Sequence, residues 1–202
     1  MTMTAEQITT TNRDMYQSVS DNASLALLEK AEGGKVTLKQ ISKALDEFKR
    51  LYKAGIASPA EIMTLHRAYP NDETFKKEAI KFEKESTEPV VLGLWGPSSV
   101  ELVDREGHLI TTVALEKAFD NYMKSFRTRN AMVLHSDVQV GWALPAYINK
   151  AGQIFKSGVN DKGLFFITEM RNDTKISDRV KEQINEGKLK SYSIAGSATK
   201  MQ

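Results

Sequence analysis

Two short segments of the chain carry residue types suited to covalent chemistry. In AMVLHSD, His135 closes an apolar run and is followed by the polar pair Ser136-Asp137. In KLKSYSIAGSA, Ser193 lies in a strand-like run that ends in Ala195-Gly196. A serine hydroxyl presented at a strand edge becomes a nucleophile once a neighbouring base takes its proton, and small residues after it let backbone amides approach an oxyanion. Histidine is the side chain most often used as that base. Both residues also have ordinary structural uses, the histidine as a satisfied packing residue and the serine as a plain member of a strand. Their separation along the chain decides nothing, because such pairs are assembled in space.

Other chemistries find no support in the sequence. The chain has no cysteine, which excludes disulfides, thiolate metal sites and a cysteine nucleophile. It has no His-Glu-x-x-His run, no EF-hand loop, no Gly-Lys-Ser/Thr phosphate loop and no G-x-S-x-G elbow. No metal or other cofactor is therefore expected. His66 has no Cys, His or paired carboxylate in helical register with it and reads as a packing or surface histidine. The 28 basic and 26 acidic residues leave a net charge of only +2, which gives no basic face for nucleic acid. The apolar runs are too short for a bilayer, and the polar start MTMTAEQITTTNRDMY lacks the apolar core of a secretory signal. These features describe a soluble cytosolic protein with neither nucleic acid nor membrane as partner.

The elements that would position His135 and Ser193 fall into two compositional halves. Residues 1–86 form a helical N-terminal region, an interaction or scaffold-like module. A short helix is expected over 24–32, stopped by Gly33-Gly34. Thr37 with Gln40 makes a capping box for a helix whose Ile41, Leu45, Phe48 and Leu51 form one apolar stripe. Ser58-Pro59-Ala60-Glu61 repeats the start signal, and Pro70-Asn71-Asp72 breaks that helix before a last, Lys- and Glu-rich one.

Residues 87–202 change in character. Strands are expected at 90–95, 100–103, 131–135, 138–148 (bent at Pro145), 164–170 and 189–195. Helices are expected from Thr112 to about 126 and from Ser177 to Gly187, and 152–161 reads as a polar loop. The fold class is α+β: a mixed or antiparallel sheet or small barrel with flanking helices, preceded by the helical region.

The order of the segments in this second half resembles the XkdF-like phage prohead (capsid-maturation) serine proteases, relatives of tailed-phage prohead proteases and herpesvirus assemblins. VELVDREGHLIT is similar to the family's opening strand and turn, although His108 stands where the turn usually ends in Asp. VALEKAFDNYMKSF resembles its helix, AMVLHSD carries its histidine, and GWALPAYI and GLFFITEMRND resemble its next strands. The ending SDRVKEQINEGKLKSYSIAGSA resembles the family's helix and nucleophile strand, with Ser193 directly before the Ile-x-Gly element.

The resemblance implies a Ser193 nucleophile with His135 as its base, acting on scaffold and capsid propeptides. The partners it implies are the major capsid protein and scaffold protein of a procapsid, with self-association. The location it implies is the host cytoplasm, inside the procapsid. The family's third catalytic residue follows its nucleophile, whereas residues 194–202 contain no Asp, Glu or His. That leaves a dyad, an upstream acid such as Asp137, Glu169 or Asp173, or a piece or self-processed product of a longer polypeptide. It also leaves a catalytically inactive protease-fold structural or scaffolding protein of the capsid.

Overall fold

The computed structural model describes residues 36–84, 89–96, 103, 107, 109–124, 129–133, 136–160, 163–189 and 191–193. Three helices open this part. α1 (Leu38–Lys53) starts at Thr37, whose backbone N–H donates to Gln40 Oε1 at 2.9 Å. α2 (Pro59–Ala68) starts at Ser58, whose N–H donates to Glu61 Oε2 at 2.8 Å while its hydroxyl accepts from the Glu61 amide at 3.3 Å. Each box satisfies amide donors that the first helical turn leaves unpaired. α3 (Glu73–Lys84) follows, with Phe75 and Ala79 buried.

The remaining elements are β1 (Val91–Trp95), α4 (Thr112–Lys124), β2 (Asn130–Met132), β3 (Gln139–Leu144), β4 (Ala146–Ile148), β5 (Ile154–Lys156), β6 (Gly158–Asn160), β7 (Gly163–Met170) and α5 (Lys175–Asn185). β1, β7, β3 and β2 lie side by side in that order, all antiparallel, and β6 pairs with the start of β7. β4 and β5 make a separate two-stranded sheet. The class is therefore α+β, built on antiparallel sheets. Among the described residues the sheet is open, which corrects the barrel alternative.

β7 is the central strand and is buried along its whole length. Period-two alternation sorts its side chains. Phe165 and Ile167 face one side, where they pack with Val91, Trp95, Leu144, Tyr147, Phe155 and Ala60 of α2. Leu164, Phe166 and Met170 face the other, toward α4 and α5. The sheet thus has α1–α3 and the small hairpin on one side and α4 and α5 on the other. Ile41, Leu45, Phe48, Leu65 and Phe75 pack with Ala146 and Ile148, so the helical region shares a core with the β4–β5 hairpin. Arg67 reinforces the contact by donating to the Ile148 carbonyl at 2.8 Å and the Tyr147 hydroxyl at 3.0 Å.

The expected bend at Pro145 is present. Proline has no N–H to give to a ladder, and the strand divides there into β3 and β4. Buried Ser157 spans the gap: its hydroxyl donates to the Leu144 carbonyl at 2.6 Å and accepts from the Ile167 amide at 2.9 Å.

Other expectations need correction. The polar loop over 152–161 contains β5 and β6 instead. The last helix begins three residues earlier than a cap at Ser177 implies, because Thr174 is its cap. The closing strand is not formed at residues 191–193, which run beside the sheet with the Tyr192 amide donating to the Trp95 carbonyl at 3.3 Å. The expected helix at 24–32 and most of the strand at 100–103 lie outside the described residues, where only the bridge from Val103 to Leu109 is seen.

Candidate functional site

The α4–α5 side of the sheet encloses a cavity of about 630 Å³. Its floor is the even-numbered face of β7 (Leu164, Phe166, Thr168 and Met170) with Leu92 and Leu94 of β1. Leu115, Phe119 and Tyr122 of α4 and Val180 and Ile184 of α5 form the walls. The lining is mostly apolar, as in many small-molecule and peptide side-chain pockets. Ser136, Asp137, Ser191 and Ser193 also line it, from two segments far apart in sequence.

Ser193 reaches the cavity because Tyr192 is anchored. The Tyr192 ring packs edge-on against Phe166, 4.9 Å between centroids, and its hydroxyl shares a 2.5 Å hydrogen bond with Thr168 Oγ1. An alternating segment with Tyr192 turned inward leaves Ser191 and Ser193 exposed on either side. The backbone also lies against β1, and a Cβ on Gly96 would collide with the Tyr192 peptide. The two tyrosine hydroxyls of the cavity are neutral and engaged. Tyr122 donates to the Asn130 carbonyl at 2.9 Å, and burial pushes it up to about 12. Burial holds Tyr192 far above the usual phenol range.

His135 itself lies outside the described residues, as do His108 and the Ala195-Gly196 pair. Its immediate followers, Ser136 and Asp137, line the same cavity as Ser193. The three acids considered as a third partner are sorted by their positions. Asp137 shares the cavity. Asp173 is exposed and paired with Arg171 at 2.6 Å, which holds its carboxyl below the usual range. Glu169 points to the opposite face of β7. There its carboxylate accepts from the Ala60 amide at 3.1 Å and from Trp142 Nε1 at 2.9 Å.

Glu169 belongs to a polar cluster that the sequence reading did not assemble. Beside it, Glu61 meets Arg129 at 3.3 Å, with both side chains buried. Glu61 was legible as a capping residue, but its second role was not. The available signal was Glu169 itself, an acid in the otherwise apolar run GLFFITEM on the face of Phe165 and Ile167. A carboxylate there must find partners, because an unpaired one is too costly to bury. Burial pushes Glu169 up to about 7, against the hydrogen bonds from Ser58, Ala60 and Trp142. Among the described residues no cluster of His, Asp or Glu could hold a metal ion, and no helix is long and apolar enough to cross a membrane. No protein-family model matches the chain, no curated protein matches it in sequence, and no solved structure matches it in fold.

Proposed function

We propose that the chain is a capsid-maturation serine endopeptidase of the prohead-protease kind, cleaving scaffold and capsid propeptides in the procapsid of a phage. Ser193 attacks the peptide carbonyl, His135 takes the hydroxyl proton and returns it to the leaving amine, and backbone amides near Ala195-Gly196 hold the oxyanion. The observation that carries this reading is that Ser193 and the Ser136-Asp137 pair next to His135 line one cavity. Of the three acids, Asp137 is the one that lines this cavity, and the role of orienting the histidine is assigned to it on that ground. The cavity's apolar lining suits a substrate side chain beside the scissile bond.

The test is co-expression with the capsid and scaffold proteins of the same phage, followed by intact-mass measurement. Wild type should yield trimmed products and Ser193→Ala should not. Equal trimming by both would refute the assignment.

A second reading is an inactive protease-fold structural or scaffolding protein. It is favoured by the engagement of Glu169 and Asp173 away from the cavity. On that reading both proteins leave the capsid components uncut, and loss of the chain still disrupts assembly.

A further inference from the structure

Among the described residues, the cluster around Glu169 has more acid than it has cation. Two carboxylates, Glu61 and Glu169, are 3% and 2% exposed, and Arg129 is the buried guanidinium beside them. Arg129 is committed to Glu61. Among the described residues its Nε finds no hydrogen-bond partner, and its pairing is with Glu61 and not with Glu169. The other described groups that act directly on Glu169 are neutral or acidic. α2 and its cap supply the Ser58 hydroxyl and the Ala60 amide, and β3 supplies the Trp142 indole. α4 supplies Tyr122, neutral and close enough to sense Arg129. Glu47 of α1 also acts on Glu61, but its own charge is offset by Arg50, which pairs with it at 2.8 Å. A buried pair with a net negative charge lowers its energy by taking up a proton.

We propose that Glu61 and Glu169 form a proton-binding pair that holds one proton beside Arg129, and that losing this proton loosens the N-terminus of α2 from the sheet. The proton sits on Glu169, since Glu61 has the cation and the Ser58 amide. Glu169 is also the hinge of the contact, because one of its oxygens accepts from the first turn of α2 and the other from β3. Once ionised, it is better solvated in an opened form than in the closed one, so opening becomes easier as pH rises. The device joins the helical region to the sheet and does not depend on what Ser193 does.

The experiment is solution NMR of the full chain from pH 5 to 9, following glutamate side-chain carboxyl carbons, the Trp142 indole N–H and the exchange protection of the Ala60 amide. One glutamate should titrate near 7, and the Trp142 indole should move with it. Ala60 protection, corrected for intrinsic exchange, should fall about tenfold from pH 6 to pH 8. Glu169→Gln should abolish all three changes. Glu61→Gln frees Arg129 to serve Glu169, and should move the midpoint down by a unit or more. The proposal is overturned if every glutamate titrates in the ordinary range, if the indole and amide changes persist in Glu169→Gln, or if Glu61→Gln leaves the midpoint in place.

Discussion

Trp142 and Glu169 stand directly across from each other on β3 and β7, and the indole N–H donates to the carboxylate at 2.9 Å. This pair fixes the two faces of the central strand. Glu169 ties the sheet to α2, while its neighbour Thr168 points the other way and holds Tyr192 beside the cavity. One strand thus anchors the helical region on one side and the Ser193 segment on the other.

The raised Glu169 titration has a definite consequence for stability. In the unfolded chain this carboxyl ionises near 4.3, and in the folded chain near 7. Between those values the folded state binds more protons, so its stability falls as pH rises, and the loss is complete just above 7. Urea unfolding of wild type and Glu169→Gln at pH 5 and pH 8 should show the variant gaining on wild type by on the order of 3 kcal/mol over this interval. A difference between the two proteins that stays constant with pH would contradict the assignment.

Arg129 should be far more sensitive than a surface arginine. Arg129→Leu leaves Glu61 buried without its cation, a change of a type that costs about 3–5 kcal/mol. Arg179→Leu, by contrast, breaks an exposed pair with Glu182 and should cost less than about 1 kcal/mol. Chemical denaturation of both variants at pH 7 checks the contrast.

Gly96 controls the position of Ser193. The Cβ of Gly96→Ala would strike the Tyr192 peptide, which is backbone and cannot rotate away. Overpacking of this type costs about 1–3 kcal/mol. The Tyr192 amide should also lose its bond to the Trp95 carbonyl, seen as faster hydrogen exchange there. Catalytic turnover should fall more than the stability change explains, because residues 191–193 are displaced from the cavity.

The parts of the fold that were readable in the sequence are those governed by local chemistry. Thr37 with Gln40 and Ser58 with Glu61 announce helix starts because the caps lie three residues away. Pro145 announces the break because it has no N–H. β5 and β6 were not readable, because IFK and GVN are short and separated by Ser157, whose role depends on Leu144 and Ile167 distant in sequence. Residues 189–195 read as a strand in the sequence, and in the fold Tyr192 turns inward against Phe166. Yet residues 191–193 take no strand conformation, although the Tyr192 amide bonds the Trp95 carbonyl. The Glu61–Arg129–Glu169 cluster joins three segments that no spacing rule connects. Ser193 and the acids Asp137 and Glu169 can be named from the sequence as candidates, but that Ser193 and Asp137 line one cavity while Glu169 turns to the other face of β7 is set by contacts distant in sequence.

The most direct test of the central claim is labelling with a fluorophosphonate, which reacts with serines activated as nucleophiles, followed by peptide mapping. Wild type should carry the adduct on Ser193. His135→Ala, confirmed as folded by its circular dichroism, should label at least ~100-fold more slowly. Equal labelling of the two proteins, an adduct on Ser191 instead, or no adduct on the folded wild-type chain would contradict the account.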